Sequence, residues 1–311
     1  MIALARHSRV LGIDIGATHS RARLVVGSEV VAEATAASAS VAAEGLTPAF
    51  AALGELLAQL PLDEHRPLDA ICVGAAGITR QHTADLIQER LARFTEEARV
   101  LIVSDVSLVL PAANLDEGVG VICGTGTVAL GRLGQRAVRA GGWGYLLADE
   151  GSGYWLVCRA VRTVLERRDR GRPLGPLGTE LLLATTMPSL EQLTGQFYEH
   201  PRPGRWAHYA PVVLGSPDPA AATIIDEAAR ALHLLVEAVL ERLGYPSGLP
   251  IVLAGGLTTN ERFRSAVTGE LLRARPSSQV SVLDQPPVAG AVRLAQMASA
   301  GQVPDSTWQL D

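Results

Sequence analysis

The 311 residues carry a formal net charge of -5 and a pI near 5.8, which gives no electrostatic footing for nucleic acid or an anionic membrane. Hydrophobic residues make up 48% and charged residues 19%: enough apolar material for two ordinary domains, too much for a disordered or fibrous chain. All 27 basic residues are Arg, so a GxxxxGK phosphate loop, a protein-kinase strand lysine and a Schiff-base lysine are excluded.

Taken in chain order, Val10 to Ile15 is a β-branched run ending at Gly16, and Ala22 to Val26 and Glu29 to Ala34 continue it as an antiparallel meander. The turns fall at Gly16–His19 and Gly27–Ser28. Glu44 to Leu60 has helical spacing, Ala70 to Val73 is a short buried strand, and Thr83 to Phe94 a helix. Val100 to Val103 is another buried strand, followed by a helix from Ser107 to Asn114. The pattern then restarts. Val119 to Cys123 runs into Gly124-Thr125-Gly126-Thr127, with strands expected at Val128–Leu130 and Ala137–Arg139. A helical region follows from Gly153 to Leu243, broken at Arg172–Gly178 and Pro201–Gly204. Ile251–Ala254 and Val280–Leu283 read as strands, Glu261–Leu272 and Ala289–Ala298 as helices. The repeat predicts two similar α/β domains, 1–117 and 118–311, each offering a Gly-rich hairpin to a shared cleft, with the last helix returning to the first.

The cysteines, Cys72, Cys123 and Cys158, lie far apart in apolar stretches and predict buried, reduced thiols. The opening MIALARHSRVLGIDIG has no apolar run of signal-peptide length, and no later run suits a membrane span, so a soluble cytoplasmic protein is expected.

Five segments carry chemistry. In Asp14-Ile15-Gly16-Ala17-Thr18-His19-Ser20, Gly16 lets the backbone approach a phosphate, Thr18 and Ser20 offer hydroxyls, and Asp14 can hold Mg²⁺ through water. Taken alone this reads first as an ordinary hairpin with turn-forming Gly and Thr. Gly124-Thr125-Gly126-Thr127 repeats the chemistry at the matching place in the second half. Asp105, at the end of a buried strand, can take a proton from an attacking hydroxyl or can cap the following helix. Gly141 to Tyr154 reads as a pocket-shaping loop: Trp143 forms an apolar wall, while Asp149 and Glu150 accept from hydroxyls, unless Glu150 caps the next helix. Gly255 and Gly256 follow a buried strand where a flat base could slide past the backbone, and Gly290 permits close approach between domains on a hinge helix.

Together these segments resemble the N-acetylglucosamine kinase family of the actin-like superfamily, which also holds hexokinases and the benzoyl-CoA-reductase activator ATPases. The resemblance spans almost the whole chain, and GGWG–DEGS followed by Tyr154-Trp155 is its most specific part. It implies two actin-like (ribonuclease H-like) α/β domains with an interdomain ATP/sugar cleft. It also implies an ATP- and Mg²⁺-dependent kinase acting on the 6-hydroxyl of an amino sugar, in a homodimer. Asp105 then matches the catalytic base and Asp14 the metal-supporting acid. Gly16, Thr18, Ser20, Gly124, Thr125, Gly126, Ala207, Gly255 and Gly256 match ATP-binding positions. Thr127, Gly142, Trp143, Gly144 and Asp149 join Asp105 at the sugar. With no Lys or Arg in either loop, the metal and the backbone are expected to carry most of the charge stabilisation, and closure over the sugar to exclude water.

One departure stands out. The family's loop after the third strand carries an Asn that touches the sugar, whereas residues 37–43 here have none, which leaves glucosamine or another hexose open as acceptor. Cys123 stands where a serine is usual. Two other functions share the fold: a redox activator, whose iron–sulfur cluster needs closely placed Cys, and a sugar sensor, which carries a DNA-binding extension where only about nine residues precede the first strand here.

Overall fold

The computed structural model describes residues 8–16, 19–37, 46–62, 66–77, 81–91, 94 and 98–302. Strands β1 (Arg9–Ile15), β2 (Ser20–Val26) and β3 (Glu29–Ala36) form an antiparallel meander turning at Gly27, whose φ is 60°. After α1 (Leu46–Ala58), β4 (Ala70–Ala75) pairs in parallel with β1; after α2 (Gln81–Leu91), β5 (Arg99–Ser104) pairs in parallel with β4. A 3-10 turn (Asp105–Leu108) leads into the single-turn α3 (Val109–Ala112). The sequence predicted one helix from Ser107 to Asn114 there. Pro111 brings no N–H to a longer ladder, and Asn114 turns left-handed at φ 58°, so the helix stops early.

The second series is β6 (Gly118–Cys123), β7 (Thr127–Leu133) and β8 (Arg136–Gly141), then α4 (Gly153–Asp169), α5 (Gly175–Thr185), α6 (Leu190–Glu199), α7 (Pro203–Ala207), α8 (Ala210–Gly215) and α9 (Pro219–Leu243). It closes with β9 (Ile251–Ala254), α10 (Glu261–Ala274), β10 (Val280–Val282) and α11 (Val288–Ser299). The break expected at Arg172–Gly178 is narrower than predicted. Helix α5 begins at Gly175 because Pro176 sits in the first turn, where a missing N–H is no loss.

The sheets have orders β3-β2-β1-β4-β5 and β10-β9-β6-β7-β8. Read from the other edge, the second is β8-β7-β6-β9-β10, the same order with each strand replaced by its counterpart. That repeated topology is the actin-like α/β fold twice over. By compactness the chain divides into two units. One holds the described residues up to Gly120, Leu130–Arg139 and those from Leu283 on; the other holds Val121–Ala129 and Ala140–Val282. These limits cross the single 117/118 boundary expected from the sequence, and α11 lies with the first unit.

In the first unit β1 is buried on both faces, as a strand covered by helices on either side must be. Leu11, Ile13 and Ile15 pack with Leu53 and Leu56 of α1 and Ile87 and Leu91 of α2. Val10 packs on the other face with Ala291, Val292 and Leu294 of α11. Gly12 shares that second face, and an added Cβ would lie 2.5 Å from the Val292 amide nitrogen. Asp14 comes next on the same face, at the end of the strand. In the second unit, Arg167 of α4 forks onto Asp218 at 2.6 and 2.7 Å, and Asp218, 1% exposed, also caps α9 through the Ala220 amide. A buried carboxylate supplied with this many donors is satisfied, and its carboxyl is held well below the usual range, chiefly by Arg167.

Candidate active site

Parallel strands leave their functional groups at their carboxyl ends. In the first unit these are Asp14, closing β1, and Asp105, directly after β5. Asp14 is buried and its carboxyl is pushed up to about 7, first by burial and then by the negative charge of Asp105, with Arg21 opposing. Asp105 is half-buried, and its Oδ1 accepts from the Val106 amide at 2.9 Å. The N-cap position of this 3-10 turn is Ser104, so Asp105 is not the helix cap; its carboxylate accepts from the next amide and faces a second acid.

A cation also faces Asp105, from a strand whose own residues do not single it out. Arg139 of β8 is half-buried; burial pushes its guanidinium down and Asp105 supports its charge. The first unit thus supplies positive charge beside Asp105 even though neither Gly-rich turn contains a Lys or Arg.

Gly16 donates its amide to the His19 carbonyl at 3.0 Å, and an added Cβ would lie 2.7 Å from that same oxygen. Thr18 lies outside the described residues, as does most of the stretch 37–43. Ser20 is fully buried, and its hydroxyl has no hydrogen-bond partner among the described residues. It shares strand parity with Ala22 and Leu24, both core residues, and that alternation was the signal for an inward Ser20.

In the second unit the structure joins most of the remaining candidates through hydrogen bonds and close approaches. The Gly124 amide donates to the Gly126 carbonyl at 3.0 Å, and the Gly124 carbonyl accepts from the Gly153 amide at 2.8 Å. Ala207 lies against Gly153, where an added Cβ would meet the Ala207 Cβ at 3.2 Å. Trp206, 1% exposed, anchors that contact: it stacks on Phe197 at 3.6 Å and donates its indole N–H to the His200 carbonyl at 3.0 Å. Gly255, at φ 101°, comes so close to Cys123 that an added Cβ would sit 2.4 Å from the Cys123 carbonyl oxygen. Gly255 and Gly256 themselves are exposed, and Thr125 is half-buried.

Thr127 is 2% exposed and donates its hydroxyl to the Glu150 carbonyl at 3.2 Å. Asp149 accepts from the Thr127 amide at 3.3 Å; burial raises its carboxyl against that bond. Gly142 donates to the Thr127 carbonyl at 2.9 Å, and Gly144 accepts the turn amides of Leu147 and Ala148. Trp143 is 71% exposed. The helix cap is Ser152, which accepts from the Trp155 amide at 3.1 Å, leaving Glu150 exposed and out of that role.

The acid pair is what a hydrated Mg²⁺ would need. Mg²⁺ on a nucleotide is held by phosphates plus one or two carboxylates, and two mutually repelling carboxylates, one buried, leave negative charge for a cation to neutralise. In the metal-free protein the proton on Asp14 has its own consequence. The folded state holds it to about 7, against an ordinary 3.8, so raising the pH between these values favours the unfolded chain. Between pH 5 and 8 the nucleotide-free protein should lose on the order of 3 kcal/mol of stability through this group, and Asp14→Asn should flatten the slope. Urea midpoints at the two pH values check this; equal slopes for both proteins would refute it.

A model of the BadF/BadG/BcrA/BcrD ATPase family matches residues 11–293. The chain belongs to that family. Among similar proteins, an N-acetylmuramic acid/N-acetylglucosamine kinase of Clostridium acetobutylicum is 31% identical over 61% of this chain and 65% of its own length, so the chain spans less than two thirds of that relative. An N-acetyl-D-glucosamine kinase of Dictyostelium discoideum is 29% identical over 73% of this chain and 75% of its own. Among solved structures, a candidate N-acetylglucosamine kinase from Chromobacterium violaceum superposes with a TM-score of 0.73 at 24% identity, over 94% of this chain and 99% of that one. A ROK hexokinase from Thermus thermophilus gives 0.53 at 16%, over 93% and 97%. These two show the shared fold. No helix among the described residues is long and apolar enough to cross a membrane.

Proposed function

We propose that this ATPase-family member is an ATP-dependent sugar kinase that transfers the γ-phosphoryl group to an amino sugar, with the 6-hydroxyl of N-acetylglucosamine as first choice. The observation that carries the reading is the acid pair of Asp14 and Asp105 at the carboxyl ends of β1 and β5. The names of the relatives from Clostridium and Dictyostelium support it.

In this reading Asp105 takes the proton of the sugar hydroxyl as its oxygen bonds to the γ-phosphorus; the bond to the bridging oxygen breaks and ADP leaves. The tight turns at Gly16 and Gly124–Gly126, whose Gly16 and Gly124 amides close the turns themselves, bring the chain close to phosphate oxygens, and Gly255, Gly256 and Ala207 line the nucleoside. Gly142, Trp143, Gly144 and Asp149 hold the sugar, the exposed Trp143 ring offering a face to its C–H groups. Mg²⁺, when bound, spreads the charge of the transferring group, and Asp14 is the residue that would hold it through water. Closure over the sugar excludes the competing acceptor, water.

The absence of Asn in residues 37–43 keeps glucosamine or another hexose as the alternative acceptor. A redox activator is less well supported. Burial pushes the Cys123 thiol up to about 12 and Cys72 higher still, and thiols that resist ionisation make poor cluster ligands. The enzyme is expected to be cytoplasmic and homodimeric. A coupled assay of ADP release with glucosamine, N-acetylglucosamine and glucose tests the assignment. One of the amino sugars should stimulate release; no sugar-dependent release from any of the three overturns it.

A further inference from the structure

Thr127 stands between the residues assigned above to phosphate and those assigned to sugar, and all its polar groups go to one segment. Its amide donates to Asp149 Oδ1, its carbonyl accepts from Gly142, and its hydroxyl donates to the Glu150 carbonyl, at 3.3, 2.9 and 3.2 Å. Asp149 presses its carboxylate into the space of a missing side chain: a Cβ on Gly126 would lie 2.8 Å from Oδ2. To do so Asp149 adopts the left-handed φ of 69°, which Asp tolerates better than most residues. The Asp149 carbonyl then accepts from the Ser152 amide at 3.1 Å, and the next residue, Gly153, closes back on Gly124 at 2.8 Å.

These bonds form a ring from Gly124 to Thr127, across to Gly142 and Asp149, and back through Gly153. Each link is a backbone group or a short side chain, so a shift at one station is carried to the next. We propose that Thr127 and Asp149 are positioning residues that couple the sugar segment to the phosphate loop, so that each ligand tightens the binding of the other. This rests on the kinase reading and adds to it a reason for sugar-dependent ATP use. Coupling of this kind is reciprocal.

The test is the affinity for a non-hydrolysable ATP analogue with Mg²⁺, measured by calorimetry with and without saturating N-acetylglucosamine or glucosamine. Sugar should tighten analogue binding at least about fivefold in the unaltered protein, the lower end of common coupling strengths. Thr127→Val keeps the side-chain shape but loses the hydroxyl bond, and should reduce the effect to less than about twofold, while Thr127→Ser restores it. Asp149→Asn keeps the acceptor and should retain coupling, whereas Asp149→Ala should lose it. A residue that served only as a sugar ligand would alter sugar affinity and leave the ratio intact. Full coupling in Thr127→Val or Asp149→Ala overturns the proposal, as does an unaltered enzyme that phosphorylates sugar with no coupling. Failure of the kinase reading is seen separately, as missing sugar-dependent ADP release.

Discussion

Asp105→Asn should lower kcat by about a thousandfold while leaving the affinity for an ATP analogue nearly unchanged, within the range found when a general base is removed. The amide has the size of the carboxylate, and its oxygen can still accept from the Val106 amide, as Asp105 Oδ1 does at 2.9 Å, so the local turn survives. It cannot take a proton from the attacking hydroxyl. It also removes the charge that raises the neighbouring Asp14 carboxyl, leaving that acid more readily ionised and no less able to support a metal. Steady-state kinetics and calorimetry on the same preparation separate the outcomes. A kcat like that of the unaltered protein removes Asp105 from the proton transfer. A parallel collapse of analogue binding makes it a ligand of the nucleotide complex instead.

Gly290→Ala should destabilise the first unit by about 3 kcal/mol, at the upper end for overpacking. The sequence placed Gly290 on a hinge helix in close approach between domains. The structure corrects the partner: the approach lies within one unit, against the turn that follows Asp105. An added Cβ would fall 2.0 Å from the Leu108 carbonyl oxygen and 2.9 Å from the Ala112 amide nitrogen. Both are backbone atoms, so no side chain can swing aside, and α11 must back away from the sheet. Gly54→Ala supplies a control of opposite sign. Gly54 is exposed within α1 with nothing within 4 Å of an added Cβ, so alanine should be neutral or stabilise by up to about 1 kcal/mol. Urea unfolding of both variants decides: equal midpoints would show that the packing of α11 tolerates expansion.

Local pattern made the scaffold readable. Val10–Ile15, aliphatic but for Gly12 and Asp14, and the wholly aliphatic Ile251–Ala254 are both stopped by Gly, and a strand buried on both faces needs little more than that. The strand–Gly turn–strand series, met twice, predicted two related halves, and the two sheet orders match strand for strand. What escaped depends on residues far apart in the chain. Nothing in residues 136–141 marks Arg139 as facing Asp105, since that pairing requires β8 and the turn after β5 to be placed together. The Asp149–Thr127 bond spans 22 positions, and Asp149 reaches it only by a left-handed backbone that composition does not announce. Ser20 shares strand parity with Ala22 and Leu24, so its burial was legible in the alternation of β2, and its hydroxyl, unpartnered among the described residues, keeps its place at the nucleotide a proposal.

The place of α11 in the first unit has a consequence for synthesis on the ribosome. Val10, Ala70, Cys72, Leu101 and Val103 emerge early, yet the helix that covers their face of the sheet begins only at Val288. Through translation of the entire second unit, the nascent first sheet therefore carries an uncovered apolar face. Its other face can already be closed by α1 and α2, giving a half-built layer that waits for the last helix. Such an intermediate is a natural client for a holding chaperone and a point of vulnerability to aggregation. Premature termination before Val288 would leave that state permanent.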